Sequence, residues 1–215
     1  MKALVLDIDN TLTDNVSWLR MTDVMHGSVS DHQLIFERFL NNQIPYEQAT
    51  AELVQLWQAT GRANRSFLTA AFKEWPLRKG AHELVEYAQA QGYVVALITG
   101  SLDLFAQTLA ERLGVTHWYA NSTLKWSDDG ALVDFDYARD QAARKLKHLR
   151  EFAEAIGVNV RDCVIVGDGH NDVDMFRASG HGIAFGPASE GLRSVSRKYA
   201  PTLAAVQGIL ESGDI

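Results

Sequence analysis

Ala3-Leu4-Val5-Leu6-Asp7-Ile8-Asp9-Asn10-Thr11 opens the chain with a short apolar run that stops at an acidic, polar cluster. An apolar run without polar alternation predicts a strand buried on both faces, as in a parallel sheet. Two later stretches repeat the design. Tyr93-Val94-Val95-Ala96-Leu97-Ile98 ends at Thr99-Gly100-Ser101, and Cys163-Val164-Ile165-Val166 ends at Gly167-Asp168-Gly169. Gly182-Ile183-Ala184-Phe185-Gly186 is a weaker version of the same pattern.

Helical periodicity fills the intervals. Residues 81–91 carry Leu84, Val85 and Ala88 and stop at Gly92; residues 103–113 start at Asp103 and stop at Gly114. Residues 139–156 place Ala142, Leu146, Leu149, Ala153 and Ile156 on one stripe before Gly157. This alternation predicts an α/β fold with a Rossmann-like, doubly wound parallel sheet. One interval breaks it. From 14 to 76 only helical spacing is present (Leu34, Ile35 and Phe39; Ala49, Leu53 and Leu56; Phe67, Ala71 and Trp75), interrupted by Pro45 and Gly61. The organisation expected is a core of residues 1–13 and 77–215 with a helical insertion over 14–76. Asp128-Asp129-Gly130 between Thr123-Leu124 and Ala131-Leu132-Val133 predicts a β-hairpin.

Composition narrows the class. Lys and Arg number 20 against 27 Asp and Glu, a net charge of −7 that argues against nucleic acid as a partner. The longest apolar run is far short of the ~20 residues that span a bilayer, so no membrane partner is expected. A single cysteine, Cys163, excludes an internal disulfide and a multi-thiolate metal site. A cytoplasmic address is the expectation, and oligomeric state is not readable.

Ligands of open α/β sheets collect beyond the carboxyl ends of the strands. Asp7, Thr99 and Asp168 would share that edge. Residues i and i+2 of an extended chain face one side, so Asp7 and Asp9 would point together. Gly167-Asp168-Gly169-His170-Asn171-Asp172 adds two more carboxylates. Each loop alone is also an ordinary polar turn or helix cap. Together, gathered carboxylates repel and need a cation; an all-oxygen set suits Mg²⁺ with a substrate phosphate. Charge balance also calls for a lysine. At about 100° per residue, Lys145 lies about 60° from the centre of the 139–156 stripe and Lys147 about 140° away, toward solvent. Arg139 is a weaker substitute. Thr99-Gly100-Ser101 offers hydroxyls and N–H groups for phosphate, and equally reads as an N-cap. The remaining histidines are scattered without ligand spacing, and His170 receives no catalytic role.

These pieces, in this order, resemble the haloacid dehalogenase-like (HAD) hydrolase superfamily, in its phosphoserine-phosphatase-like branch with a helical C1 cap after the first motif. Leu77-Arg78-Lys79-Gly80-Ala81 shares that character. The resemblance implies a phosphatase that hydrolyses a small phosphorylated metabolite. Asp7 would be the nucleophile, Asp9 the acid and base, and Lys145 the group that orients Asp7. Thr99, Gly100, Ser101 and Asn171 would hold phosphate, and Mg²⁺ would sit among Asp7, Asp9, Asp168 and Asp172. Phosphotransfer through the same intermediate is an alternative, as are phosphoserine phosphatase proper and, outside enzymes, a phospho-acceptor signalling domain. Val16 and Leu53 stand where phosphoserine phosphatases use a cap glutamate and a cap arginine, which argues against phosphoserine as substrate. Trp18, Arg20 and Met21 are candidates for the cap side of the cavity.

Overall fold

The computed structural model describes residues 2–215. Its strands are β1 (Lys2–Leu6), β2 (Tyr93–Leu102), β3 (His117–Trp126), β4 (Leu132–Tyr137), β5 (Cys163–Gly167), β6 (Gly182–Phe185) and β7 (Lys198–Ala200). Its helices are α1 (Ser17–Val24), α2 (Val29–Leu40), α3 (Tyr46–Gln58), α4 (Arg65–Lys73), α5 (Ala81–Ala90), α6 (Asp103–Leu113), α7 (Gln141–Ile156), α8 (Val173–Ser179), α9 (Glu190–Arg193) and α10 (Leu203–Ser212). Among the described residues the strands form one sheet in the order β4-β3-β2-β1-β5-β6-β7, parallel throughout except for the β3–β4 pair.

β1 explains why the sheet is covered on both sides. Leu4 and Leu6 pack into one apolar layer with Leu84, Leu109 and Leu203 from α5, α6 and α10. Ala3 and Val5, on the alternate face, join Leu149, Phe152 and Met175 from α7 and α8. Both faces being dry accounts for the unbroken apolar run.

The helical interval resolves into α1–α4, with two corrections to the expected stripes. Leu34 is 56% exposed while its neighbours Ile35 and Phe39 are buried. On α4 the buried pair is Leu68 and Phe72, one position along from Phe67 and Ala71, because Phe72 packs edge-on to Phe105 at 5.0 Å. The expected hairpin is β3–β4, which joins the helices through Tyr46: its hydroxyl donates to Phe135 O at 2.8 Å and accepts from Tyr137 N at 3.1 Å.

β2 does not end at Ile98. It continues through Thr99-Gly100-Ser101 to Leu102, with an irregular register against β3 between Thr99 and Leu102. The stretch read as a turn is therefore the tail of a strand, and α6 starts directly after it. α7 begins at Gln141 because the Asp140 side chain caps it, accepting from Ala143 N at 3.0 Å.

Candidate active site

β1 and β5 are adjacent and in register, Leu6 opposite Val166, so Asp7 and Asp168 emerge at one sheet edge. Asp7 N–H donates to Val166 O at 3.0 Å, which holds its backbone in the ladder one residue beyond β1. The chain then turns sharply. Ile8 O accepts from Thr11, Leu12 and Thr13 N–H at 3.1, 2.8 and 3.1 Å, and Asn10 takes a left-handed φ of 57°, a conformation asparagine tolerates better than most residues. Arg78 clamps this turn. It donates to Asn10 O at 3.1 Å, pairs with Asp14 and lies over the Phe185 ring at 5.3 Å. Sequence reading singled out only the run containing Arg78, since nothing local reveals a contact with residue 10.

Lys145 is fully buried although it sits on a helix with exposed neighbours. Its ammonium donates to Asp7 Oδ1 and to Asp172 Oδ1, each at 2.7 Å. Two carboxylates draw it to the sheet edge, so it is more buried than the stripe residue Leu146 beside it. Lys147 is exposed and faces Glu151 at 3.5 Å, and Arg139 lies elsewhere, over the Phe39 ring. Asp172 has both oxygens engaged, since Oδ2 accepts from Gly169 N at 3.1 Å. Asp168 accepts from Thr11 Oγ1 at 3.3 Å.

Asp9 diverges from the other carboxylates. Its Oδ2 accepts from Ser17 Oγ at 2.8 Å, at the start of α1, and its Oδ1 is buried without a partner. Ser17 Oγ in turn hydrogen-bonds Ser101 Oγ. Thr99 and Ser101 are fully buried, and Ser101 N donates to Thr99 Oγ1 at 3.1 Å. Ser17 was not among the expected site residues, because a serine opening a helix carries no distinguishing signal.

Gly100 lies at a close approach. A Cβ there would stand 2.9 Å from Gln141 Oε1 and 3.1 Å from Asn171 Nδ2. Gln141 is itself held by Asn121 Nδ2 at 2.6 Å. Asp7, Asp9, Asn10, Gly100, Asp168 and Asn171 share the wall of one cavity of about 1020 Å³. Away from the sheet edge, Val16, Trp18 and Leu53 line it as well. Of the other cap-side candidates, Arg20 pairs with Asp23 at the surface and Met21 is part of the apolar core.

Burial pushes the Asp7 carboxyl well above the ordinary range; Lys145 opposes this and the charges of Asp172 and Asp168 add to it. Asp9 is raised to about 6 by burial, against the opposing Ser17 hydrogen bonds. Burial disfavours the Lys145 ammonium, but Asp172 and Asp7 outweigh it and hold its pKa above the usual value. Asp7, Asp168 and Asp172 each offer a carboxylate oxygen within 4.8 Å of the others. One ammonium does not balance three carboxylates, and an all-oxygen donor set fits a hard divalent cation. Cys163 plays no part here: it is buried away from the cavity, and burial lifts its thiol to about 11, which disfavours the reactive thiolate.

A family model described as haloacid dehalogenase-like hydrolase matches residues 1–180. The phosphoserine phosphatase of Methanocaldococcus jannaschii is 28% identical over 187 residues, covering 86% of this chain and 85% of that protein. That of Lactococcus lactis subsp. lactis is 28% identical over 190 residues, covering 85% and 82%. Among solved structures, a phosphoserine phosphatase carrying a phospho-aspartyl intermediate analogue superposes with a TM-score of 0.74 at 25% identity, covering 98% of each chain. A substrate-bound phosphoserine phosphatase gives the same TM-score of 0.74 and 25% identity, covering 99% of this chain and 98% of that one. Among the described residues no helix is long and apolar enough to cross a membrane.

Proposed function

Because the chain belongs to the haloacid dehalogenase-like hydrolase family, we propose that it is a Mg²⁺-dependent phosphatase. It hydrolyses a small phosphorylated metabolite through an aspartyl phosphate on Asp7. The observation that carries this reading is the contact of Lys145 Nζ with Asp7 Oδ1 at 2.7 Å, beside Asp168 and Asp172, at the edge of a large cavity. The names of its relatives support phosphomonoester chemistry.

In the first half-reaction the Asp7 carboxylate attacks phosphorus. The ester P–O bond breaks with its electron pair leaving on the alkoxide, and Asp9 gives that oxygen a proton. A carboxyl raised toward neutrality by burial, as Asp9 is, suits this donation. In the second half-reaction Asp9 takes a proton from water, the water oxygen bonds phosphorus, and the acyl-phosphate P–O bond breaks to restore Asp7. Lys145 orients Asp7 and offsets its charge. Asn171 and the Gly100 amide on the cavity wall, with the Thr99 hydroxyl behind them, hold the phosphoryl oxygens, while the Ser101 amide is spent on Thr99 Oγ1. Asp7, Asp168 and the Asp9 backbone carbonyl would hold Mg²⁺, with Asp172 supporting that set; when bound, the ion supplies positive charge beside the phosphoryl oxygens.

We read residues 1–13 and 77–215 as the core and 14–76 as a helical cap, whose closure excludes water from the intermediate. A cytoplasmic address belongs to the same reading. The test is release of 4-nitrophenolate and phosphate from 4-nitrophenyl phosphate, with Mg²⁺ and after its removal by chelator. Activity that needs Mg²⁺ and vanishes in Asp7→Asn is expected. Full activity in Asp7→Asn would overturn the nucleophile assignment.

A further inference from the structure

Beyond the sheet edge, the cavity wall is built from rings. Trp18 stands 5.1 Å from Phe135 and 6.1 Å from Tyr137, and Phe36 meets Tyr137 edge-on at 5.6 Å. These four residues all line the cavity, and Val16 and Leu53 continue its apolar surface. The rings brace one another, so the wall is formed in advance of any ligand. Trp18 is also stacked on Trp57 at 6.0 Å, and Trp57 is fully buried, so the wall is rooted in the core of the helical interval.

The charges on this part of the wall are at its mouth. Glu37, Arg139 and Asp140 are all exposed. Arg139 is already engaged, donating to Asn42 Oδ1 at 2.5 Å and lying 5.2 Å from the Phe39 ring, while Asp140 caps α7. The buried titratable side chain here is His32, whose Nδ1 is tied to Thr22 Oγ1 at 2.7 Å; burial lowers its pKa to about 4, so the ring is neutral. A carboxylate next to the phosphate would be brought against ring faces without a buried cationic partner, at a large desolvation cost. A primary ammonium is attracted to a ring face, but by less than taking it out of water costs without a buried carboxylate beside it. An uncharged apolar body would instead gain from every ring it covers.

We propose that the alcohol released here is uncharged and largely apolar, an aromatic or hydrocarbon alcohol large enough to lie against Trp18, Phe36 and Phe135 while its phosphate reaches Asp7. This rests on the phosphatase reading above and specifies its substrate class. The site tells such esters apart by what they place on the aromatic wall, since the phosphate end is common to all of them.

The experiment measures kcat/KM for 3-phenylpropyl phosphate, n-hexyl phosphate, n-propyl phosphate and O-phosphoserine with the full chain and Mg²⁺. Either large apolar ester is expected to exceed O-phosphoserine by roughly a hundredfold or more, in keeping with what pocket contacts discriminate. Preference for 3-phenylpropyl over n-hexyl assigns an aromatic body, and the reverse a hydrocarbon chain. Phe36→Ala should lower the ratio of kcat/KM for the preferred large ester to that for n-propyl phosphate by about tenfold, a change that a general loss of folded enzyme does not produce. If n-propyl phosphate is hydrolysed but O-phosphoserine equals or surpasses the apolar esters, the substrate class is wrong and the phosphatase reading stands. If no ester, 4-nitrophenyl phosphate included, is turned over, the phosphatase reading fails and the substrate class falls with it.

Discussion

The Lys145 ammonium, with no exposed surface, donates to Asp7 Oδ1 at 2.7 Å and spends a second proton on Asp172. Removing one member of a buried ion cluster strands the others, at a cost of roughly 3–5 kcal/mol. Lys145→Met should therefore lower urea stability of the metal-free protein by that order and reduce turnover by roughly a hundredfold or more. Combining it with Asp172→Asn should cost less than the sum of the single changes, by more than about 0.5 kcal/mol. Additive losses in the unfolding curves would show that the two side chains do not act as a unit.

Ser17 donates to Asp9 at 2.8 Å and thereby positions the proposed proton donor. Proton donation matters for a poor leaving group and little for a good one. In Asp9→Asn, rapid mixing should still show a burst of 4-nitrophenolate from 4-nitrophenyl phosphate, with phosphoenzyme accumulating. Release of n-propanol from n-propyl phosphate should fall by roughly 10²–10⁴-fold. Ser17→Ala should move both esters in the same directions by less. Equal losses on the two esters would remove Asp9 from the role.

His32 is held neutral in the folded protein, with its pKa lowered by burial from 6.5 to about 4. The unfolded chain therefore binds a proton that the folded one refuses between these values. The stability this group contributes is complete above pH 6.5 and is lost as pH falls toward 4, at no more than about 1.4 kcal/mol per pH unit. Denaturant midpoints of wild type and His32→Gln should diverge over that window, with wild type showing the steeper loss. An imidazole NMR titration with a midpoint near 6.5 would contradict the shift.

Gly100→Ala introduces a Cβ 2.9 Å from Gln141 Oε1, and Asn121 prevents Gln141 from yielding freely. The substitution should lower the thermal midpoint by a few degrees and cut kcat/KM by about 10–100-fold, because displaced groups at the proposed phosphate site lose positioning. Wild-type kinetics in this variant would mean that the approach of Gly100 to Asn171 and Gln141 is incidental.

Much of this architecture is readable in the chain because burial leaves a simple mark. Ala3-Leu4-Val5-Leu6 and Cys163-Val164-Ile165-Val166 are apolar throughout since helices cover both faces, and their ends locate Asp7 and Asp168. Lys145 is legible through helical geometry, as a charge bordering an apolar stripe. The continuation of β2 through Thr99-Gly100-Ser101 is not legible, because small polar residues suit a turn as well as a strand end. Ser17 and Arg78 are hidden for another reason: their partners, Asp9 and Asn10, are reached through the fold and leave no periodic signal. The aromatic wall is largely hidden in the sequence. Only Trp18 is singled out by the sequence, as a cap-side candidate; Phe36, Phe135 and Tyr137 are not, because their meeting with Trp18 depends on how the hairpin docks. Strand β7 is too short for any periodicity to register.

Tyr46 rivets α3 to β4, accepting from one backbone group of the hairpin and donating to another. The wall that faces the leaving group is thus assembled from two remote stretches of chain, joined by a phenol. A chimaera that transplanted residues 14–76 alone into a relative would arrive with half its recognition surface and a mismatched seam. Retuning which ester is accepted therefore means exchanging the hairpin along with the helices, and natural drift in either stretch is answerable to the other.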